Sequence, residues 1–355
     1  MLNTFKKVIL ILTAIMLMLS LTACNSTAKS NSNKTRYQAE FLELFDTATS
    51  IVGYADNEEK FTGYSQLIYD NLKEYHELYD IYNDYDGINN IKTINDNAGI
   101  KPVKVDKRII DLLIASKEAY NLTGGKTNIA LGSVLKIWHV YRTEGIENPK
   151  SSSLPPIELL KEASLHTDIN NLIIDETNST VFLDDADMRL DVGAIAKGYA
   201  TEQVSKIARE NGFTSGLISV GGNVRAIGKK SDGKEPWSVG IQNPDKESEN
   251  NILKTVNLSD MSLVTSGSYE RYYTVGGHEY NHLINPDTLF PAEYFASVTI
   301  ICEDSGKADA LSKVFVMPYE EGRKLIDSIP DTEAMWVYND GEIKYSEHFE
   351  DYIKK

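Results

Sequence analysis

Apolar and polar positions along the chain follow two periods. Leu67, Ile68, Leu72, Tyr75, Leu78, Tyr79 and Tyr82 recur at helical spacing, as do Ile109, Ile110, Leu113, Ile114 and Ala119, so helices are predicted over residues 67–82 and 106–120. Their tyrosines belong to core and rim. Later residues read as strands at 171–183, 216–227, 237–242, 252–264, 272–284, 297–302 and 335–345. Two helices interrupt them, one over 194–211 with Gly212 as its stop, the other from Asp309 to just before Pro318. Residues 143–156, rich in Pro, Ser, Gly and charge, read as a surface excursion. Strands in antiparallel-looking runs, broken by helices without regular βαβ alternation, predict an α+β fold: one compact domain of mixed or antiparallel sheets and packed helices.

The start of the chain has a different pattern. Lys6 and Lys7 precede an apolar run from Val8 to Leu21, followed by Leu21-Thr22-Ala23-Cys24. A charged region, an apolar region and small residues before a Cys predict an export signal over residues 1–23, too short for a membrane-spanning helix. The four residues resemble a bacterial lipobox, which implies cleavage before Cys24 and a lipid on its thiol. Residues 24–40, rich in Ser, Asn and Lys at their start, then read as a lipidated tether and residues 41–355 as the folded domain. The expected location is the outer face of the cell membrane, held by the lipid.

Composition narrows the chemistry. In 355 residues, 36 Lys and Arg stand against 52 Asp and Glu, a formal charge of −16, which excludes a broad phosphate-backbone surface for nucleic acid. Two cysteines exclude a multi-disulfide scaffold and form no zinc-site spacing. With Cys24 lipidated, Cys302 is the single free thiol, and its apolar surroundings make it a buried strand residue, not a nucleophile.

Against this acidic background a few polar clusters stand out. Asp191 precedes the helix that carries Lys197, so an anion at this end would meet dipole, amides and ammonium together; a capping Asp and a solvated Lys is the bland alternative. Gly221-Gly222 before Arg225 allows close backbone approach to a phosphate, or simply a tight hairpin turn. His282, beside the turn Asn285-Pro286, could serve as a general base or a structural histidine. Asp309, with Ser312 nearby, offers hard oxygen donors of the kind Mg²⁺ uses beside phosphates, or a helix-capping carboxylate.

Taken in order, five segments resemble the ApbE flavin transferases: Asp191-Val192-Gly193-Ala194-Ile195-Ala196-Lys197-Gly198-Tyr199-Ala200, Val220-Gly221-Gly222-Asn223-Val224-Arg225, Thr265-Ser266-Gly267-Ser268-Tyr269-Glu270-Arg271-Tyr272, His282-Leu283-Ile284-Asn285-Pro286 and Ala308-Asp309-Ala310-Leu311. The similarity runs from about Phe41 to about Pro318. It implies that FAD is split at its pyrophosphate, that FMN is joined by a phosphoester to a Thr or Ser of an extracytoplasmic acceptor protein, and that AMP leaves. The acceptor segment so implied is Asp-x-x-Ser/Thr-Gly-Ala-Ser/Thr. His282 would be the base. Asp191, Lys197 and Ile284 would bind FAD, with Tyr85 against the flavin and Thr127-Asn128-Ile129 as a further FAD-binding segment. Mg²⁺ would be held by the Ala194 carbonyl and the Asp309 carboxylate, with Lys313 at the third metal-site position.

The chain departs from the family pattern at several positions. Lys313 stands where the family has Thr, and an ammonium has no lone pair for a metal. Asn223 and Asn285 replace Asp, Leu289 replaces Gly, and Phe45-Asp46 stands where Met-Gly is usual. Two other readings compete with transfer: an FAD-binding protein or FAD pyrophosphatase of the same fold, and, more distantly, a solute-binding lipoprotein.

Overall fold

A computed structural model describes residues 34–231 and 233–355. The expected signal peptide, Cys24 and most of the tether lie outside them. In chain order the strands are β1 (Thr35–Phe41), β2 (Thr49–Ala55), β3 (Val103–Lys104), β4 (Leu172–Asp175), β5 (Thr180–Leu183), β6 (Gly216–Val220), β7 (Asn223–Ile227), β8 (Trp237–Gln242), β9 (Ile252–Leu258), β10 (Ser262–Gly267), β11 (Tyr272–Val275), β12 (His278–Asn281), β13 (Ser297–Cys302), β14 (Glu333–Val337) and β15 (Ile343–Tyr345). The helices are α1 (Glu58–Tyr79), α2 (Ile91–Asp96), α3 (Lys107–Leu122), α4 (Gly132–Glu147), α5 (Ile157–Ser164), α6 (Ala196–Glu210), α7 (Ser305–Leu311) and α8 (Tyr319–Asp327).

Eight strands form one sheet in the order β1-β2-β6-β7-β10-β13-β14-β15, and among the described residues every named strand pair is antiparallel. The α+β expectation holds. Period-2 alternation decides which face each residue joins. Ile51, Ile218, Val220 and Ile227 pack under α1 and α6, while Val52, Leu217, Val224 and Ala226 face Trp237, Val239 and Val256 of the β8–β9 hairpin. Farther along the sheet, Val298, Ile300 and Trp336 pack with Phe295, Leu311 and Phe315, whereas Ile301, Met335 and Val337 face the β8–β9 side. No helix among the described residues is long and apolar enough to cross a membrane.

Three local expectations need correction. Residues 35–40, read as the end of the tether, join Phe41 in an edge strand because Tyr37, Ala39 and Phe41 alternate inward onto the core. Residues 143–147 of the expected excursion continue α4. The helix near Asp309 begins at Ser305, capped by Asp304, which accepts from Lys307 N at 3.0 Å. Asp309 therefore sits in that helix's last turn. The long predicted strands break at turns, and Gly221 (φ 54°) and Gly222 (φ 87°) join β6 to β7, so the hairpin reading of that pair is the right one.

Candidate active site

Asp191 and Asp309 are built into neighbouring backbones by hydrogen bonds. Buried Asn95 grips Leu190 at both ends, accepting from its N–H at 2.7 Å and donating to its carbonyl at 3.0 Å. Asp191 N–H then donates to the Ile129 carbonyl at 2.8 Å, and Gly193 N–H donates to Asp191 Oδ1 at 2.9 Å. Asp191 thus closes the turn before α6 and is not the helix cap. The 127–129 segment is a strut: buried Thr127 donates through Oγ1 to the Ala310 carbonyl at 2.6 Å, Asn128 Nδ2 donates to the Thr167 carbonyl at 3.0 Å, and Ile129 is wholly buried. It ties the Asp191 turn to α7. Thr127 and Ile129 are buried in this role, while half-buried Asn128 keeps a second amide N–H.

The first turn of α6 takes its cap from α7. In a regular helix the Gly198 N–H would return to the Ala194 carbonyl; here it donates to Asp309 Oδ2 at 2.8 Å. Asn223 Nδ2 donates to the same oxygen at 2.9 Å. An ionised aspartate at 223 could not donate to Asp309, and Asn can. Asn285 follows the same logic, donating to the Val316 carbonyl at 3.1 Å, which an aspartate could not do. The Ala194 carbonyl is left without a hydrogen bond among the described residues, and Asp309 Oδ1 has no partner among them either. These two hard oxygens fit Mg²⁺, which binds through one or two carboxylates and keeps waters or phosphate oxygens for the rest. Ser312 is engaged elsewhere: its wholly buried hydroxyl donates to the Asp309 carbonyl at 2.7 Å and lies 2.7 Å from Ser266 Oγ. Lys313 adds charge in place of a ligand. Burial pushes its ammonium down to about 8 although Asp309 opposes the shift.

Gly198 permits the close approach of α6 to α7. A Cβ there would collide with the Ser305 carbonyl and Asp309 Cβ, both on backbone that cannot swing aside. Gly198→Ala is expected to destabilise the fold by about 1–3 kcal/mol in urea unfolding and to lower metal affinity; unchanged stability would contradict the contact.

His282 lies half-buried among cations. Its Nδ1 is 3.2 Å from the Arg271 carbonyl, an acceptor, so Nδ1 carries the proton and Nε2 presents a free lone pair. Burial first, then the charges of Lys313, Arg271, Arg142 and Lys197, push the imidazole down to about 3. The free enzyme therefore holds a neutral base throughout the physiological range. Since cations disfavour imidazolium, removing one raises this pKa. Lys313→Met should move the acid limb of the kcat/KM–pH profile upward, and an unmoved limb would show that its charge does not reach the imidazole.

Ile284 is buried beside His282 and bridges to Pro291. Tyr85 lies on another loop: its hydroxyl donates to Asp80 Oδ2 at 2.8 Å and lies 3.4 Å from His76 Nε2. His76 Nδ1 accepts from Phe45 N–H at 3.2 Å, so Nε2 carries the proton toward Tyr85 and the phenol is fixed from two sides. Burial and the Asp80 bond raise the Tyr85 pKa. Asp46 (φ 52°) and Leu289 (φ 64°) stand where the family pattern has Gly, and both retain left-handed backbone.

Arg225 is not a phosphate ligand. It is buried, with Nε donating to Glu202 Oε2 at 3.0 Å, and that carboxylate also accepts from Ser305 N–H at 3.0 Å. The pair braces β7, α6 and α7. Cys302 is buried as expected, its thiol pushed up to about 12 by burial. Sequence reasoning missed Arg142 on α4 and gave Arg271 no role. Asn95 also escaped it, since both of its partners are distant in sequence.

With this geometry in place, the comparisons are direct. The sequence model of the ApbE family matches residues 45–336, and the chain belongs to that family. It is similar to the FAD:protein FMN transferase of Treponema pallidum (strain Nichols), 32% identical over 278 residues, covering 74% of this chain and 75% of that protein. The Haemophilus influenzae FAD:protein FMN transferase is 26% identical, over 86% of each. Among solved structures, the ApbE protein of Thermotoga maritima superposes with a TM-score of 0.79 at 29% identity, covering 90% of this chain and 100% of that one. The flavin transferase ApbE of Vibrio cholerae, at 20% identity and a TM-score of 0.74 over 90% of this chain and 99% of its own, shares the fold.

Proposed function

We propose that this protein is an FAD:protein FMN transferase that splits FAD at its pyrophosphate, attaches FMN through a phosphoester to a Ser or Thr of an acceptor protein, and releases AMP. One observation carries the reading: His282, its Nδ1 held by the Arg271 carbonyl and its Nε2 free, lies in the field of Lys313 and Lys197, and Lys313 lies in that of Asp309, whose second oxygen is free among the described residues. Phosphoryl transfer asks for little else beyond charge neutralisation and alignment. Lys197, at the start of α6, and Lys313 stand by the phosphates. The Asp191 turn and Ile284 bound the FAD side, with Tyr85 fixed against the flavin. His282 Nε2 takes the proton of the acceptor hydroxyl. Mg²⁺, held by Asp309 and the Ala194 carbonyl, would neutralise phosphate charge.

The acceptor chemistry is a protein segment of the form Asp-x-x-Ser/Thr-Gly-Ala-Ser/Thr, and the enzyme meets it outside the cell membrane, anchored by a lipid on Cys24. Radiolabelled palmitate should enter the wild-type chain and not Cys24→Ala; equal labelling of the two would contradict the anchor. The transfer reading is tested by incubating the protein with FAD, Mg²⁺ and a peptide carrying the acceptor segment. Covalent flavin on the peptide supports it, and AMP release with an unlabelled peptide would favour a pyrophosphatase.

A further inference from the structure

Among the described residues, two arginines near His282 form no ion pair. Arg142 lies on α4 and Arg271 immediately precedes β11. These elements are packed together: a Cβ on Gly145 would press into the Tyr273 ring, Ser152 Oγ donates to the Thr274 carbonyl at 2.7 Å, and the Tyr273 hydroxyl donates to the Ser153 carbonyl at 3.1 Å. Arg142 is one turn before Gly145 and Arg271 two residues before Tyr273, so the packing draws the guanidinium groups into one field. The field lowers the Arg142 pKa, through burial first and the Arg271 charge second. Among the described residues no carboxylate pairs with either arginine, in a chain where acids outnumber bases 52 to 36. Arg142 Nη2 donates to His139 Nδ1 at 3.0 Å, which orients the guanidinium, and His139 in turn packs on exposed Tyr82 with ring centroids 5.3 Å apart.

The pair sits on other elements than the phosphate cations: Arg142 on α4 and Arg271 just before β11, against Lys197 on α6 and Lys313 just after α7. His282 lies within reach of both sets. In an in-line displacement the attacking oxygen enters opposite the leaving group, so the base marks the side of entry. Arg271 holds that base through its own carbonyl and therefore belongs to the entry side.

We infer that Arg142 and Arg271 form a carboxylate-reading subsite for the acceptor: an acidic side chain of the segment bearing the acceptor hydroxyl docks between the two guanidinium groups. The inference rests on the transferase reading. Guanidinium forks match carboxylates bidentately, and elsewhere the acidic surface of this protein repels such a partner.

The test uses the full chain, FAD, Mg²⁺ and two synthetic peptides, one carrying Asp-x-x-Thr-Gly-Ala-Thr and one with that Asp changed to Asn. The wild type should favour the Asp peptide by about tenfold or more in kcat/KM. Arg142→Gln and Arg271→Gln should each raise the KM for the Asp peptide about tenfold, leave the KM for FAD unchanged and erase the preference between peptides. Labelling of both peptides equally by the wild type would overturn the subsite alone, as would variants that raise the KM for FAD and not for peptide, since the arginines would then hold the cofactor. No labelling of either peptide would sink the transferase reading and the subsite with it.

Discussion

His282→Ala is expected to reduce FMN transfer by roughly two to four orders of magnitude, the usual worth of a positioned general base, while FAD affinity stays near that of the wild type. The Arg271 carbonyl fixes the tautomer that leaves Nε2 as an acceptor, and burial with four surrounding cations keeps the ring neutral. Alanine removes the base without touching Asp191, Lys197, Asp309 or the Asn95 clamp. FAD affinity is read by fluorescence titration and transfer by flavin on the acceptor peptide. A large loss of FAD affinity would make His282 a binding residue and contradict its role.

Asp309→Ala is expected to damage both stability and turnover. The carboxylate accepts from Gly198 N–H and Asn223 Nδ2, and leaving the two buried donors unsatisfied costs roughly 1–3 kcal/mol each. The same change removes the carboxylate oxygen expected to face the metal, so Mg²⁺-dependent turnover should weaken sharply. Asp309→Asn separates the effects: one oxygen remains to cap Gly198, so stability returns in part, whereas turnover does not. Urea unfolding and a Mg²⁺ titration of the transfer rate read them independently. A Mg²⁺ titration unchanged in Asp309→Ala would show that Lys313, not the ion, neutralises the phosphates.

Much of this fold is visible in the sequence because period-2 patterns survive in the strands. β13 shows a second signal: the apolar run from Ser297 to Cys302 reads as a strand, and the observed strand has those bounds because it is buried on both faces. What escaped is pairing at a distance. Arg225 looks like a phosphate ligand in a Gly-rich context, and only the fold reveals Glu202 of α6 beside it. The predicted start at Asp309 falls four residues late, since Asp304 caps a helix that begins at Ser305 and runs through Gly306. Arg142 carries no signal in its own segment, because its importance comes from Arg271 and His139, brought near it by α4 packing on β11 and by a single helical turn. His282, Lys197 and Asp309 were legible through the order of their motifs; the reason that Asn223 suits this chain was not, since it depends on which atom of Asp309 it meets.

The most direct test of the account is to follow both products of one reaction. The full-length protein is incubated with FAD, Mg²⁺ and the acceptor peptide, and peptide mass and AMP are measured together. Transfer predicts a peptide carrying covalent FMN, with AMP formed in equal amount and no free FMN. AMP matched by free FMN beside an unmodified peptide, or FAD left unconsumed, would contradict it.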